Sequence, residues 1–275
     1  MPLLVQDNPL TIRSLRDDEV ARLRAIYPDL PISPKHCPTC KGVGSFRWRD
    51  SDGQPADWEC NCRAQWALHR FFLNSGIGLR YQRLSWDDTL SVAAPAKKAV
   101  IEYGAEADAL VQIGQGLILH GKAMGTGKTL LASLLLKNLL ASGYDGYFVQ
   151  FNEMLDAFTG GWRNEEERRW FNRRVRNAGV LVVDDVGREH KGRLEVAESM
   201  FDTVIRARHD DARPTIITTN LSLDDLRSGY SSNVMSLLSG VCYDHEVTGL
   251  DYRPTARTEQ AQEVRDGLTR PLVIG

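Results

Sequence analysis

No run of apolar residues in this 275-residue chain approaches the roughly 18 that a membrane-spanning helix needs. The opening residues, MPLLVQDNPL, lack the basic start and apolar core of a secretory signal, so a cytoplasmic location with no membrane contact is expected. Charge of one sign is lacking too: 34 Lys and Arg against 36 Asp and Glu leave a net charge of −2. Without a global field, any attraction to nucleic acid has to come from local basic patches. Cysteine is scarce, five residues in all, and four of them fall between positions 37 and 62. In a reducing compartment such bunching points to a metal before disulfides. With 42% hydrophobic residues the chain can bury a core, and its length suits one large domain or a domain plus a small module.

What is present centres on GKAMGTGKT, residues 121–129. It follows the apolar run Leu117-Ile118-Leu119-His120 and precedes an apolar-periodic segment from Leu130 to Leu140. Strand, glycine loop and helix in that order are the context of a phosphate-binding loop. Gly125 and Gly127 let backbone N–H groups around Thr126 curl about anionic oxygens, and the helix start through Leu130 adds its positive dipole end. Lys128 is expected to reach the β and γ phosphates of ATP, and the Thr129 hydroxyl to complete a Mg2+ shell. Five residues separate Gly121 from Gly127-Lys128, one more than usual, which reads as a bulge upstream of an intact GTGKT. A glycine-rich turn before a core helix explains the glycines but not Gly-Lys-Thr at a helix start.

Some 55 residues on, Gly179-Val-Leu-Val-Val ends in Asp184 and Asp185. A buried parallel strand reads as a continuous apolar run, and ligands bind at the carboxyl ends of such strands. Asp184 is expected to hold Mg2+ and Asp185 to polarise the attacking water, a Walker B element with Asp where Glu is more usual. A second buried strand, Arg213-Pro-Thr-Ile-Ile-Thr-Thr-Asn220, ends in an Asn suited to orienting that water. A helix is expected over about 195–208, with Cys242 in a core strand near 241–247.

Cys37-x2-Cys40 and Cys60-x-Cys62 flank a hairpin-like stretch. Two thiolate pairs about 20 residues apart suit a tetrahedral Zn2+ site, with His36 and His69 as conceivable substitutes. Four unliganded thiols are the bland alternative. Ahead of them, Ser14 and Asp17 resemble a capping box for a short amphipathic helix ending before Pro28. Residues 63–73 look helical, and Ser75-Gly-Ile-Gly78 breaks the pattern. A helix is expected over about 96–111. Residues 163–176 carry six arginines. The ordinary reading is a solvated helix with i,i+4 pairs to Glu165, Glu166 and Glu167. Arg173, Arg174 and Arg176 lack an acidic partner downstream and, with Trp170, form a possible phosphate-backbone contact.

Phosphate loop, Walker B strand, Ile216-Ile-Thr-Thr-Asn220-Leu and Asp251-Tyr-Arg253, with the lead-in Ser75-Gly-Ile-Gly-Leu-Arg-Tyr81, resemble the DnaC/IstB group of AAA+ ATPases. That group comprises bacterial and phage helicase loaders and transposition helpers. The resemblance covers about residues 75–255 and implies an α/β AAA+ P-loop fold with a parallel sheet in the order 5-1-4-3-2. Here that fold follows an N-terminal helix and a four-cysteine zinc module over 1–74, for contacting the helicase, and precedes a tail, polar and mobile, over 256–275. It also implies a homo-oligomer, helical or ring-shaped, with ATP between subunits and DNA, single-stranded or duplex, along its inner face. Asn220 then corresponds to sensor 1 and Arg253 to a nucleotide-contacting sensor 2. The group's Arg-x-x-Ser-Arg-Leu pattern is replaced by Asn233-Val-Met-Ser236-Leu237-Leu238. The arginine donated to a neighbour's γ-phosphate, worth about 10³ or more in rate, is therefore missing, and Arg208 and Arg227 are the candidates to replace it.

The leading expectation is an ATP-hydrolysing helicase loader that binds DNA and a replicative helicase. A transposition ATPase that recruits a transposase shares every motif. A non-hydrolysing ATP-dependent adaptor is made credible by the missing arginines. A small-molecule P-loop kinase would need an acceptor pocket and an arginine-rich lid, and would not need the Asn220 strand.

Overall fold

Val180–Val186 forms a strand whose first five residues are all buried in the computed structural model of the chain. The structure describes residues 17–28, 37–40, 43–49, 54–89, 92, 94–187, 193–268 and 270–274. Ser14 of the expected capping box and His36 lie outside them. The chain divides into two compact units, Met1–Ser75 and Gly76–Gly275.

The first unit contains helix α1 (Asp17–Ile26), strands β1 (Ser45–Arg49) and β2 (Pro55–Glu59), and helix α2 (Asn61–Ser75). The strands pair antiparallel with Ser45 opposite Glu59. Leu23 of α1 is fully buried, and Glu19 accepts a hydrogen bond from Arg70 of α2 at 2.8 Å. His69 packs edge-on against Tyr27 with ring centroids 4.4 Å apart.

The second unit is built on a five-stranded parallel sheet. Its strands are β3 (Gly116–His120), β4 (Gly146–Gln150), β5 (Val180–Val186), β6 (Thr215–Thr219) and β7 (Cys242–Glu246), in the spatial order β4-β5-β6-β3-β7. Numbered within this sheet by chain order and read from the β7 edge, that is the expected 5-1-4-3-2. The apolar run of β5 is buried on both faces, as a parallel strand with helices on either side must be. Leu181 and Val183 face one cluster with α6 (Phe151–Gly160), α8 (Leu194–Asp210), α9 (Leu223–Gly229) and α10 (Ser232–Val241). Val180 and Val182 face the other, with α3 (Ala94–Ala105), α4 (Ala107–Gln112) and α5 (Lys128–Ala141). Strand β7 is an outer strand, and its Tyr243, Asp244 and Glu246 lie at least partly open to solvent.

Several local expectations are redrawn. The single helix over 96–111 is interrupted at Glu106, whose φ of −98° and ψ of 13° separate α3 from α4. The arginine-rich segment is α7 (Glu165–Phe171) followed by a π-helical turn, Asn172–Arg176. Asn164 caps α7 by accepting from the N–H groups of Glu166 and Glu167, and Arg169 pairs with Glu165 at 3.7 Å. Trp170 stacks edge-on against Tyr147, and Arg174 lies over the same ring at 5.4 Å. The exposed aromatic of this region is instead Trp162, at 66%. Residues 256–275, expected as a mobile tail, carry most of α11 (Arg253–Arg265), and beyond it Val273 donates its N–H to the Gln82 carbonyl at 3.1 Å.

Arg208 is the largest fully buried side chain, 1% exposed. Its guanidinium donates to the carbonyls of Val175, Arg176, Ala178, Gly179 and Pro214 and to the Thr215 hydroxyl, at 2.7–3.3 Å. These belong to chain segments leading into β5 and β6, where peptide oxygens in an apolar setting need donors. A side chain so engaged cannot reach a neighbouring subunit, which removes Arg208 as a replacement trans arginine. Arg208→Met takes its donors away from these carbonyls. It is expected to cost about 3 kcal/mol of stability, read as a lower urea midpoint with an unchanged slope.

Candidate ATP and metal sites

Strand β3 delivers the chain to Gly121, and α5 begins at Lys128 with Gly127 (φ 98°) as its N-cap. Two glycines are required here. At Gly125 (φ 69°) a Cβ would lie 1.7 Å from the Asp251 carboxylate, and at Gly127 one would lie 2.5 Å from Val92. Upstream in the loop, exposed Lys122 pairs with Asp225 of α9 at 2.8 Å. The Lys128 ammonium donates to the Gly121 and Ala123 carbonyls at 2.9 and 2.7 Å. Burial lowers its pKa, and Asp185 and Asp184 oppose that shift.

The two Walker carboxylates diverge because β5 carries a bulge. Pairing with β6 is regular to Val183–Ile217 and resumes at Val186–Thr219, so three steps on β5 match two on β6. The additional residue puts Asp185 at φ 63°, in the left-handed region that few residues other than glycine adopt. Asp184 stays buried, and its carboxyl is raised by desolvation against hydrogen bonds from Thr218 and Thr129. The Thr218 hydroxyl donates to Asp184 at 2.6 Å and accepts the Asp185 N–H at 3.0 Å, so one threonine fixes both sides of the bulge. Asn220, one residue past β6, donates from its amide to Asp185 at 2.6 Å.

One cleft is lined by Gly125, Thr126, Gly127, Lys128, Thr129, Leu130, Asp185, Asn220 and Arg253, with Asp184 hydrogen-bonded behind Thr218. Asp88 and Arg270 line the same cleft but stand in no recognised motif, and Tyr81, Thr218 and Tyr252 line it too, inside motifs that gave them no site role. Thr218 also had a chemical signal, as a polar residue closing a buried strand beside the Walker carboxylates. Tyr81 is pushed up by burial and lies within reach of Thr129 and the Asp184 charge. The set of a threonine hydroxyl, a buried carboxylate and a lysine suits a magnesium-bound triphosphate, since oxygen donors are what Mg2+ takes.

In the first unit, Cys37, Cys40, Cys60 and Cys62 bring their sulfurs within 4.8 Å of one another. Cys37 and Cys60 are 3.7 Å apart, and Cys40 and Cys62 are 3.5 Å apart. Zn–S bonds of about 2.3 Å in a tetrahedron give sulfur–sulfur edges of about 3.8 Å, so the cluster fits Zn2+. The hairpin does the positioning: Cys60 donates its N–H to the Gly44 carbonyl at 2.9 Å, and Cys62 lies in the first turn of α2. The Cys40 backbone N–H draws the Cys37 thiol down to about 6, whereas burial pushes Cys60 and Cys62 up. Among the described residues no histidine joins this cluster, and His69 packs on Tyr27 and Trp66 instead. Cys242 is buried in β7, its thiol pushed up to about 12 by burial, as befits a core position. No helix of the described residues is long and apolar enough to cross a membrane.

Comparison with known proteins agrees with this geometry. No curated protein matches the chain. Among solved structures, the DnaC helicase loader is 26% identical, with a TM-score of 0.55, over 62% of this chain and 100% of that one. DnaI is 21% identical (TM-score 0.51), over 63% of this chain and 96% of that one. The replication initiator DnaA bound to AMPPCP and single-stranded DNA is 17% identical (TM-score 0.52), over 71% of this chain and 58% of that one. The last two support the fold alone. The profile of the IstB-like ATP binding proteins matches residues 92–243, more than half of the chain and spanning phosphate loop, Walker B strand and Asn220, so the chain belongs to that family, within the DnaC/IstB group of AAA+ ATPases.

Proposed function

We propose that this protein is an ATP-hydrolysing helicase loader: it binds Mg·ATP, grips DNA as a homo-oligomer, engages a replicative helicase and releases it on hydrolysis. The observation that carries the reading is the hydrogen-bonded chain Thr218–Asp184 and Asn220–Asp185 facing Lys128 across one cleft. Thr129 and Asp184 would hold Mg2+, which would supply neutralisation of phosphate charge. Lys128 turns its ammonium from the loop carbonyls to the phosphates. Asp185, steadied by Asn220, orients a water toward the γ-phosphorus and accepts its proton as the bond to ADP breaks. Arg253 neutralises phosphate charge from the start of α11. Of the two arginines considered for a neighbour's γ-phosphate, only Arg227 is exposed, and it is paired with Asp224 at 3.3 Å. A slow basal rate follows.

Zn2+ held by Cys37, Cys40, Cys60 and Cys62 would tie the first unit into a platform for the helicase. Arg173 and Arg176, with exposed Trp162 nearby in sequence, supply a basic and aromatic surface for a single strand. The family match equally supports the second reading, a transposition helper that recruits a transposase. The likeness to the DnaC loader over that chain's whole length favours the first. The test is size-exclusion chromatography with ATP and single-stranded DNA, adding purified replicative helicase or purified transposase. Co-elution with the helicase is expected, and co-elution with the transposase alone would replace the loader reading by the second.

A further inference from the structure

The cleft has two electrostatically different ends. The charges acting on Lys128 are Asp185, Arg253 and Asp184. Those acting on Tyr252 are Glu259, Asp88 and Arg270. This second end joins segments 182 positions apart in the chain. Arg270 donates from Nε to both Glu263 oxygens, at 2.7 and 2.9 Å, and pairs through Nη1 with Asp88. Asp88 is oriented in turn by the Ser85 N–H at 2.7 Å. Glu259 accepts from the Tyr252 hydroxyl at 2.6 Å.

The wall opposite α11 is held just as firmly. Arg83 donates to the Arg270 carbonyl, and Val273 donates its N–H to the Gln82 carbonyl. Lys137, a buried lysine of α5 pushed down to about 8 by desolvation, donates to the Gln82 and Leu84 carbonyls at 3.3 and 2.7 Å. Helix α11, by contrast, buries no residue. Its start is fixed where the Tyr252 N–H meets the Gly125 carbonyl at 3.1 Å, and its end where Glu263 meets Arg270. Both fixings lie on the cleft, so packing against the sheet does not account for its position.

Asp88 and Glu263 pair with one guanidinium at this end, and Glu259, which also lines the cleft, accepts from Tyr252. Carboxylate oxygens repel phosphate and suit hydrogen-bond donors. A nucleoside carries such donors in its ribose hydroxyls and its amino group. We infer that Asp88 and Arg270 form the nucleoside end of the ATP site, with the residues after α11 acting as a strap that closes that end within the same subunit. The inference rests on the ATP reading above and deepens it.

Calorimetric titration of the full chain with Mg·ATP and with Mg·tripolyphosphate separates the two ends. Arg270→Ala and Asp88→Asn are expected to weaken ATP binding about tenfold while leaving tripolyphosphate binding unchanged. Arg270→Lys, which keeps the charge and loses the fork, falls between. Lys128→Ala is expected to weaken both ligands. Unchanged ATP affinity in both Arg270→Ala and Asp88→Asn would overturn the assignment. So would equal losses for ATP and tripolyphosphate, since the pair would then be a prop for the whole cleft. If the unaltered chain binds neither ligand, the ATP reading itself falls and this inference with it.

Discussion

Asp185→Asn is expected to lower ATP turnover by about 10²–10⁴, the usual contribution of a positioned base, while ATP affinity changes little. The substitution keeps the shape of the side chain and an oxygen for the Asn220 amide, which now binds Asp185 at 2.6 Å. What it removes is the charge that accepts a proton from water. Asp185 sits at φ 63° on a bulge, so the backbone helps to set the direction of its carboxylate. Steady-state phosphate release with and without single-stranded DNA reads the effect, with DNA stimulating the unaltered protein only. Equal inactivity of both proteins, with ATP still driving assembly, would make the chain a nucleotide-dependent adaptor and end the hydrolytic reading.

Removing zinc is expected to unfold the first unit. Its described apolar interior beyond the cysteines is a handful of side chains around Leu23, Trp66, Phe71 and Phe72, little for a segment of this size. A structural Zn2+ contributes on the order of 10 kcal/mol to such a module. Elemental analysis is expected to give one zinc per chain. Chelation, or Cys40→Ser, is expected to expose residues 17–75 to protease within minutes, and re-added Zn2+ to restore protection to the chelated protein. A metal-free chain with unaltered resistance would return the four thiols to an ordinary buried cluster.

The sheet was legible because its strands announce themselves physically. Val180 to Val183 has no polar residue to give either face to water, so only a strand covered on both sides accommodates it. The phosphate loop was legible because glycine is required where Asp251 and Val92 crowd the backbone, and the lysine and threonine follow at fixed positions. The bulge between Val183 and Val186 was not. It adds one residue to a strand without changing its apolar pattern, and it shows only once the register with β6 is known. Nor was the work of Arg208 readable, since six acceptors drawn from separate segments leave no periodic trace. Asp88 and Arg270 are a similar case. Each looks like an ordinary surface charge until the fold brings residues 182 positions apart together. The π-helical turn after α7 replaces the end of the expected regular helix, burying Val175 and leaving Arg173 and Arg176 exposed.

Strand β7 leaves one rim of the sheet with unpaired peptide groups, and its outward side chains include Asp244 and Glu246. Acidic groups along such a rim discourage a second chain from docking strand to strand, because like charges would line up across the new ladder. Growth of filaments by sheet extension is thereby disfavoured from this side. A copy of the chain approaching this side would meet it through loops and helices, where association can remain reversible.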